Sequence, residues 1–245
     1  MKTIVSLVSA LTALAASTAM AQTTYPGSGV ADGSAPADGG AFNSVVISNS
    51  ASTISFTINS TQPMASYIFY SIELQMVGQA GSGYTGLVNP WGPHVGISTG
   101  VNALINTYGS GATPLTYNGS WVSGSGTSYA AGGTGFNSAT ITLPLSSLGL
   151  SLGNSFNFDV VSSYTGGTSG QAAYGALDNT GYLPESDNSY QPWLGSNFYD
   201  SATSAGTTFG TVADLYTIVP EPASCALMGL GALALIRRVA RQNVK

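Results

Sequence analysis

Between Thr3 and Ile236 the chain has no Lys and no Arg. All five basic residues, Lys2, Arg237, Arg238, Arg241 and Lys245, stand at the two ends. No fold built from this interior can use an Arg–carboxylate bridge. Its acids must be solvated, held by backbone N–H groups or paired with a metal ion. Nine acids lie between Gln22 and Val219, so that stretch carries a formal charge of −9. Nucleic-acid binding rests on Lys and Arg neutralising phosphates, and the interior excludes it. Phosphate esters and anionic membrane surfaces are poor partners for the same reason. Cys225 is the only cysteine. Neither an internal disulfide nor a Cys-based metal site can hold the chain together; burial and backbone pairing must.

The ends read differently from the middle. Lys2 gives a short positive start, and Ile4 to Ala16 is apolar apart from Ser and Thr. Ala19-Met20-Ala21 is a small-x-small cleavage site, which predicts a signal peptide over 1–21 and a mature chain beginning at Gln22. The run is too short for a membrane span. Sec machinery and signal peptidase are the implied partners. At the other end, Val219-Pro220-Glu221-Pro222-Ala223-Ser224 leads into an apolar run from Ala223 to Ile236, followed by Arg237, Arg238 and Arg241. As a helix the run is about 21 Å long at about 1.5 Å per residue. That falls short of the roughly 30 Å hydrocarbon core. Extension through Val239 and Ala240 with snorkelling arginines narrows the gap. The basic cluster acts as a stop-transfer signal and keeps the extreme C-terminus cytoplasmic.

Between these ends the signal is strand-like. Residues 22–40 are rich in Gly, Ala, Pro and Ser without an apolar period, and are expected to form a flexible leader. Val45 to Ile47 and then Ile54, Phe56 and Ile58 alternate with polar residues around Ser48-Asn49-Ser50, the pattern of a hairpin with one buried face. Tyr67 to Val77 is a second long strand, with Ile68, Tyr70, Ile72, Leu74 and Met76 on one face. Further strands are expected at 94–97, 103–108, 114–117, 120–122, 139–143, 155–161 and 215–219. Leu145 to Gly149 is the one helical turn. Residues 166–190 and 196–208 read as long irregular loops. Many short strands with turn-rich joints predict an all-β chain with a single antiparallel β-sandwich, jelly-roll-like, over 41–218. A C-terminal hydrophobic helix follows it.

The C-terminal arrangement resembles the PEP-CTERM sorting signal of Gram-negative bacteria over about the last 25 residues. Motif, apolar run and basic stop come in the family's order. Cys225 departs from it, since an aromatic residue often stands there. The resemblance implies recognition by an exosortase, a membrane transpeptidase-like enzyme, and association with exopolysaccharide matrix. The plain alternative is a simple C-terminal membrane anchor. The middle domain is similar to family 9 carbohydrate-binding and DOMON-like sandwiches at 42–49, 141–150 and 155–160. Those are strand and turn patterns, and they imply fold more than ligand.

Few residues offer chemistry. His94 is the only histidine; no G-x-S-x-G elbow accompanies it, and a structural role beside a strand suits it better. Asp159, Asp178, Glu185 and Asp187 could supply paired carboxylates for glycoside hydrolysis. Asp178, Asn179, Glu185, Asp187 and Asn188 offer hard oxygen ligands for calcium, although the spacing is not an EF-hand. A solvated acidic loop explains the same residues. Trp91, Trp121 and Trp193 could stack on sugar rings, or pack in the core. No cofactor is required. The expectation is an exported, surface-sorted, non-enzymatic protein of the extracellular matrix that meets the inner membrane and an exosortase during sorting. A carbohydrate-binding module is the alternative, and a glycoside-active enzyme a more distant one.

Overall fold

Val45 and Ile47 on one strand and Ile54, Phe56 and Ile58 on the next have no accessible surface. They lie on β2 (Phe42–Asn49) and β3 (Thr53–Ser60), paired antiparallel in a computed structural model. The structure describes residues 21–27, 39–79, 84–87, 96–108, 111–164, 173–177 and 214–220. Ser50 closes the β2–β3 turn, its Oγ accepting the Ser52 and Thr53 N–H groups at 3.2 and 3.0 Å. β12 (Ser138–Pro144) pairs with the far side of β3 and adds Ala139, Ile141 and Leu143 to the buried face. β1 (Ala21–Pro26) and β11 (Ala131–Gly132) complete a five-stranded sheet in the order β1-β2-β3-β12-β11. Strand periodicity sends Ser55, Thr57, Thr140 and Thr142 to its outer face. There Ser55 Oγ meets Thr142 Oγ1 at 2.7 Å, and Thr57 Oγ1 meets Thr140 Oγ1 at 2.9 Å.

The second sheet is centred on β4 (Ile68–Met76) and β13 (Ser155–Tyr164), antiparallel along nine register pairs. β7 (Ala103–Tyr108), β8 (Gly111–Tyr117) and β10 (Thr127–Ser128) extend it on the β4 side, and β14 (Ala173–Ala176) on the β13 side. β9 (Trp121–Ser123) pairs with β8, and β15 (Asp214–Thr217) with β13. β5 (Tyr84–Leu87) and β6 (Gly96–Val101) form a separate two-stranded hairpin. β3 pairs with β12 in one sheet while β4 pairs with β13 in the other. Among the described residues the chain therefore crosses between these two sheets three times, from β3 to β4, from β10 to β11 and from β12 to β13, and the crossings hold the layers together. Phe56 meets Phe156 with ring centroids 6.4 Å apart, Tyr25 meets Phe158 edge-on at 4.7 Å, and Phe42 meets Tyr70 at 5.8 Å. These contacts mark the interior of an antiparallel sandwich, the architecture that the alternation predicts.

The expected helical turn is a 3-10 turn over Leu145–Leu148, ended by Gly149 at φ +70°, a left-handed stop that suits glycine. Two expectations need correction. The leader is not flexible throughout: its first residues, with Ala21 before them, form β1. Six backbone register pairs with β2 make that strand, so no apolar alternation betrays it. Gly39 and Gly40 at the leader's end are also tied in, their carbonyls accepting the Tyr70 hydroxyl at 2.6 Å and the Ser162 hydroxyl at 2.5 Å. The stretch 166–190 is not wholly irregular, because β14 pairs with β13 within it. The predicted signal-peptide segment up to Met20 and the C-terminal helix lie outside the described residues. Among the described residues no helix is long and apolar enough to cross a membrane.

Candidate functional site at the base of the C-terminal segment

β15 is only four residues long, and its sequence Asp-Leu-Tyr-Thr is half polar. It persists because the fold grips it from several sides. It pairs with Ser155 to Phe158 of β13. Just beyond it, the Ile218 N–H donates to Asn154 O at 2.9 Å and Ile218 O accepts from the Gly153 N–H at 2.8 Å. Ile218 is fully buried and Tyr216 nearly so, its ring 5.7 Å from that of Phe156. Asn49, the last residue of β2, is fully buried where β15 ends. Its Nδ2 donates to Val219 O at 2.8 Å and Ser50 O at 3.0 Å. Its Oδ1 accepts the Tyr216 hydroxyl at 2.7 Å and the Val219 N–H at 3.4 Å.

The N-terminal strand meets the same place. Ala21 is the register partner of Asn49, and Tyr216 Oη also lies 3.4 Å from Ala21 O. The Tyr25 hydroxyl donates to Leu215 O at 2.7 Å. Burial pushes the Tyr25 phenol up to about 12, with Asp214 adding to the effect. Burial pushes Tyr216 up to about 12 as well, with Tyr25 contributing. Both hydroxyls therefore keep their protons, and can donate, well above neutral pH. Val219 is the last residue gripped, and Val219 and Pro220 are exposed.

A scan against family descriptions matches residues 219–242 to the PEP-CTERM protein-sorting motif. The chain carries a PEP-CTERM sorting signal. The signal begins at the residue where Asn49 releases the fold. A motif of this kind indicates an exported protein that an exosortase sorts at the membrane. No curated protein and no solved structure matches the chain.

Of the PEP-CTERM residues, Val219 and Pro220 are described; Glu221, Pro222, Ala223, Ser224, Arg237, Arg238 and Arg241 lie outside the described residues. At the predicted signal cleavage site Ala21 and Gln22 lie in β1, and Ala19 falls outside. Trp91 and Trp193, and the calcium candidates Asp178, Asn179, Glu185 and Asp187, also fall outside, as does His94. Trp121 is described. It is half-buried at the start of β9, its ring 5.3 Å from that of Tyr117, so part of its surface is spent on the protein itself. Among the described residues no group of three or more His, Cys, Asp or Glu could hold a metal ion.

Asp159 is placed, but with an unexpected companion. It stands directly opposite Glu73 in the β13–β4 register. Asp159 has no accessible surface and Glu73 is 1 % exposed. Asp159 Oδ1 accepts the Val160 N–H at 2.6 Å. Burial, with Asp159 next in importance, holds the Glu73 carboxyl well above the usual carboxylate range. Amides and hydroxyls flank the pair: Asn157 Nδ2 donates to Gln75 Oε1 at 3.1 Å, and Ser71 Oγ to Asn106 Oδ1 at 3.0 Å. Alternation along β4 sets Glu73 on the face opposite Ile72 and Leu74 but could not pair it with Asp159, because that pairing depends on a register between strands some 80 residues apart. The Asn49 grip was equally hidden. A turn asparagine gives no sign that it will reach a strand at the far end of the chain.

Proposed function

We propose that the chain is a non-enzymatic exported protein whose β-sandwich is delivered to the cell surface by its PEP-CTERM signal and there contributes to the extracellular matrix. One observation carries this reading. The sandwich ends at Val219, held by Asn49, and the sorting motif starts at that residue. Cargo and address are thus contiguous, with no linker between them. The cation-free domain supports the same reading, because a formal charge of −9 keeps it away from anionic lipid and nucleic acid. The outer face of the five-stranded sheet adds an uncharged set of Ser and Thr hydroxyls, suited to an uncharged hydrated polymer.

Fractionation of cells expressing the full chain and a Pro220→Ala/Glu221→Ala/Pro222→Ala variant tests the reading. The unaltered protein is expected at the surface with its tail removed, and the variant is expected to stay in the inner membrane with its tail intact. The same location and the same C-terminus for both would overturn the sorting role.

A further inference from the structure

The two ends of the sandwich meet at one place, and their contacts do not belong to either sheet's own ladder. β1 is the edge of the five-stranded sheet and β15 pairs in the eight-stranded one. Asn49 stands beside β15, binding Tyr216 and Val219 through its side chain; its register partner Ala21 leaves with the predicted signal peptide, so in the mature chain Tyr25 carries the link from β1. Tyr25 joins the same two strands directly, its hydroxyl on Leu215 O and its ring against Phe158. β1 offers little else to hold it. Gln22, Thr23, Thr24 and Pro26 are exposed, and among the described residues β2 is its only strand partner. β15 is short and leads straight into the motif. Each strand therefore depends on the other for part of its hold.

From these contacts we propose that Asn49, Tyr216 and Tyr25 form a latch through which the docked N-terminal strand restrains the stem of the sorting signal, so that undocking β1 releases the stem and speeds sorting. Asn49 and the two tyrosines are positioning residues in this scheme. The proposal rests on the sorting role above.

Distances make the restraint consequential. With the latch closed, the chain is fixed as far as Val219. Only four residue steps separate that point from Ala223, where the apolar run begins, a reach of at most about 14 Å at about 3.3–3.6 Å per residue. An enzyme that must lay the motif out in extended form has no slack on its N-terminal side. Fraying β15 from Asp214 onward frees five more residues and more than doubles the reach. Local opening of a short edge strand is a low-energy event compared with global unfolding, so losing one or two latch bonds shifts it measurably. The N-terminal strand supplies the timing. The predicted signal-peptidase bond, Ala21–Gln22, lies inside β1, and a bond paired into a sheet is closed to a peptidase. Cleavage at the N-terminus must then precede docking of β1, and docking sets the stem.

Amide hydrogen exchange on the purified full chain tests the coupling, with the tail followed in cells by mass spectrometry. The variants are Tyr25→Phe, which keeps the ring and removes the bond to Leu215 O; Tyr216→Phe; and a deletion of residues 22–26. The Ile72 amide on the central β4 strand reports whether the core has kept its fold. Each variant is expected to speed exchange of the Ile218 amide by about tenfold or more while leaving Ile72 unchanged, and to speed loss of the tail. Unchanged exchange at Ile218 in Tyr25→Phe and in the deletion would overturn the latch. Faster exchange at Ile218 with unchanged tail loss would overturn the gating, provided that the Pro220→Ala/Glu221→Ala/Pro222→Ala variant keeps its tail. If that motif variant loses its tail like the unaltered chain, the sorting role itself fails and the gating falls with it. The Ile218 exchange result would still stand for the latch alone.

Discussion

Glu73 and Asp159 face each other across β4 and β13 in a domain that has no Lys or Arg to neutralise them. Two buried carboxylates cannot both ionise there without a large desolvation and repulsion cost. Glu73 therefore keeps its proton at pH values where an exposed glutamate would lose it. The sign follows from linkage. A carboxyl whose value is raised by folding gives its full stabilisation below the ordinary carboxylate range, and loses it as pH climbs toward the folded value. The thermal midpoint should fall as pH rises from 5 to 8. Glu73→Gln should flatten that slope and raise the midpoint at pH 8, each kcal/mol appearing as about 2–4 °C in a domain of this size. Identical slopes for the two proteins in scanning calorimetry would contradict the pair. A second residue-scale test is Gly132. Its φ is +77°, and an added Cβ would stand 1.9 Å from Ser138 O. Gly132→Ala should cost about 1–3 kcal/mol in urea unfolding. Gly119→Ala, at φ +76° with open space around it, should cost only about 1 kcal/mol.

At the scale of elements, β3 and β13 meet across the buried interface between the sheets through Phe56 and Phe156. Phe56→Ala removes a ring that is fully buried and packed on Phe156, and should cost about 3–5 kcal/mol; a loss under about 1 kcal/mol by denaturant titration would show that the sheets do not meet there. The elements also show what the sequence could reveal. β2, β3, β4, β7, β12 and β13 were legible because one face of each is apolar and the period of 2 exposes it. Leu145–Leu148 was legible because two leucines are followed by a glycine that takes a left-handed turn. β1 was not: Ala-Gln-Thr-Thr-Tyr-Pro contributes a single inward aromatic, and its pairing is a matter of backbone bonds. β10, β11 and β14 are two to four residues long and too brief to show any period. Of the candidate site, Val219 and Pro220 could be read from the motif. Asn49, Tyr25 and Tyr216 could not, because they act through contacts spanning about 170 to 190 residues of chain, and alternation within one segment carries no information about such distances.

At the scale of the whole molecule, an uncharged hydroxyl face, a buried acid pair and a gripped C-terminal stem all belong to one cation-free sandwich. The fold brings β1 and β15 to a common edge, and the sorting signal starts where β15 is let go. Such an arrangement suits a cargo made to be processed at its ends while its middle stays folded. The most direct measurement is mass spectrometry of both termini of the protein recovered from surface and cytosolic fractions. The account predicts a surface species that begins at Gln22 and lacks the tail beyond the motif. A cytosolic species running from Met1 to Lys245, with none at the surface, would contradict it.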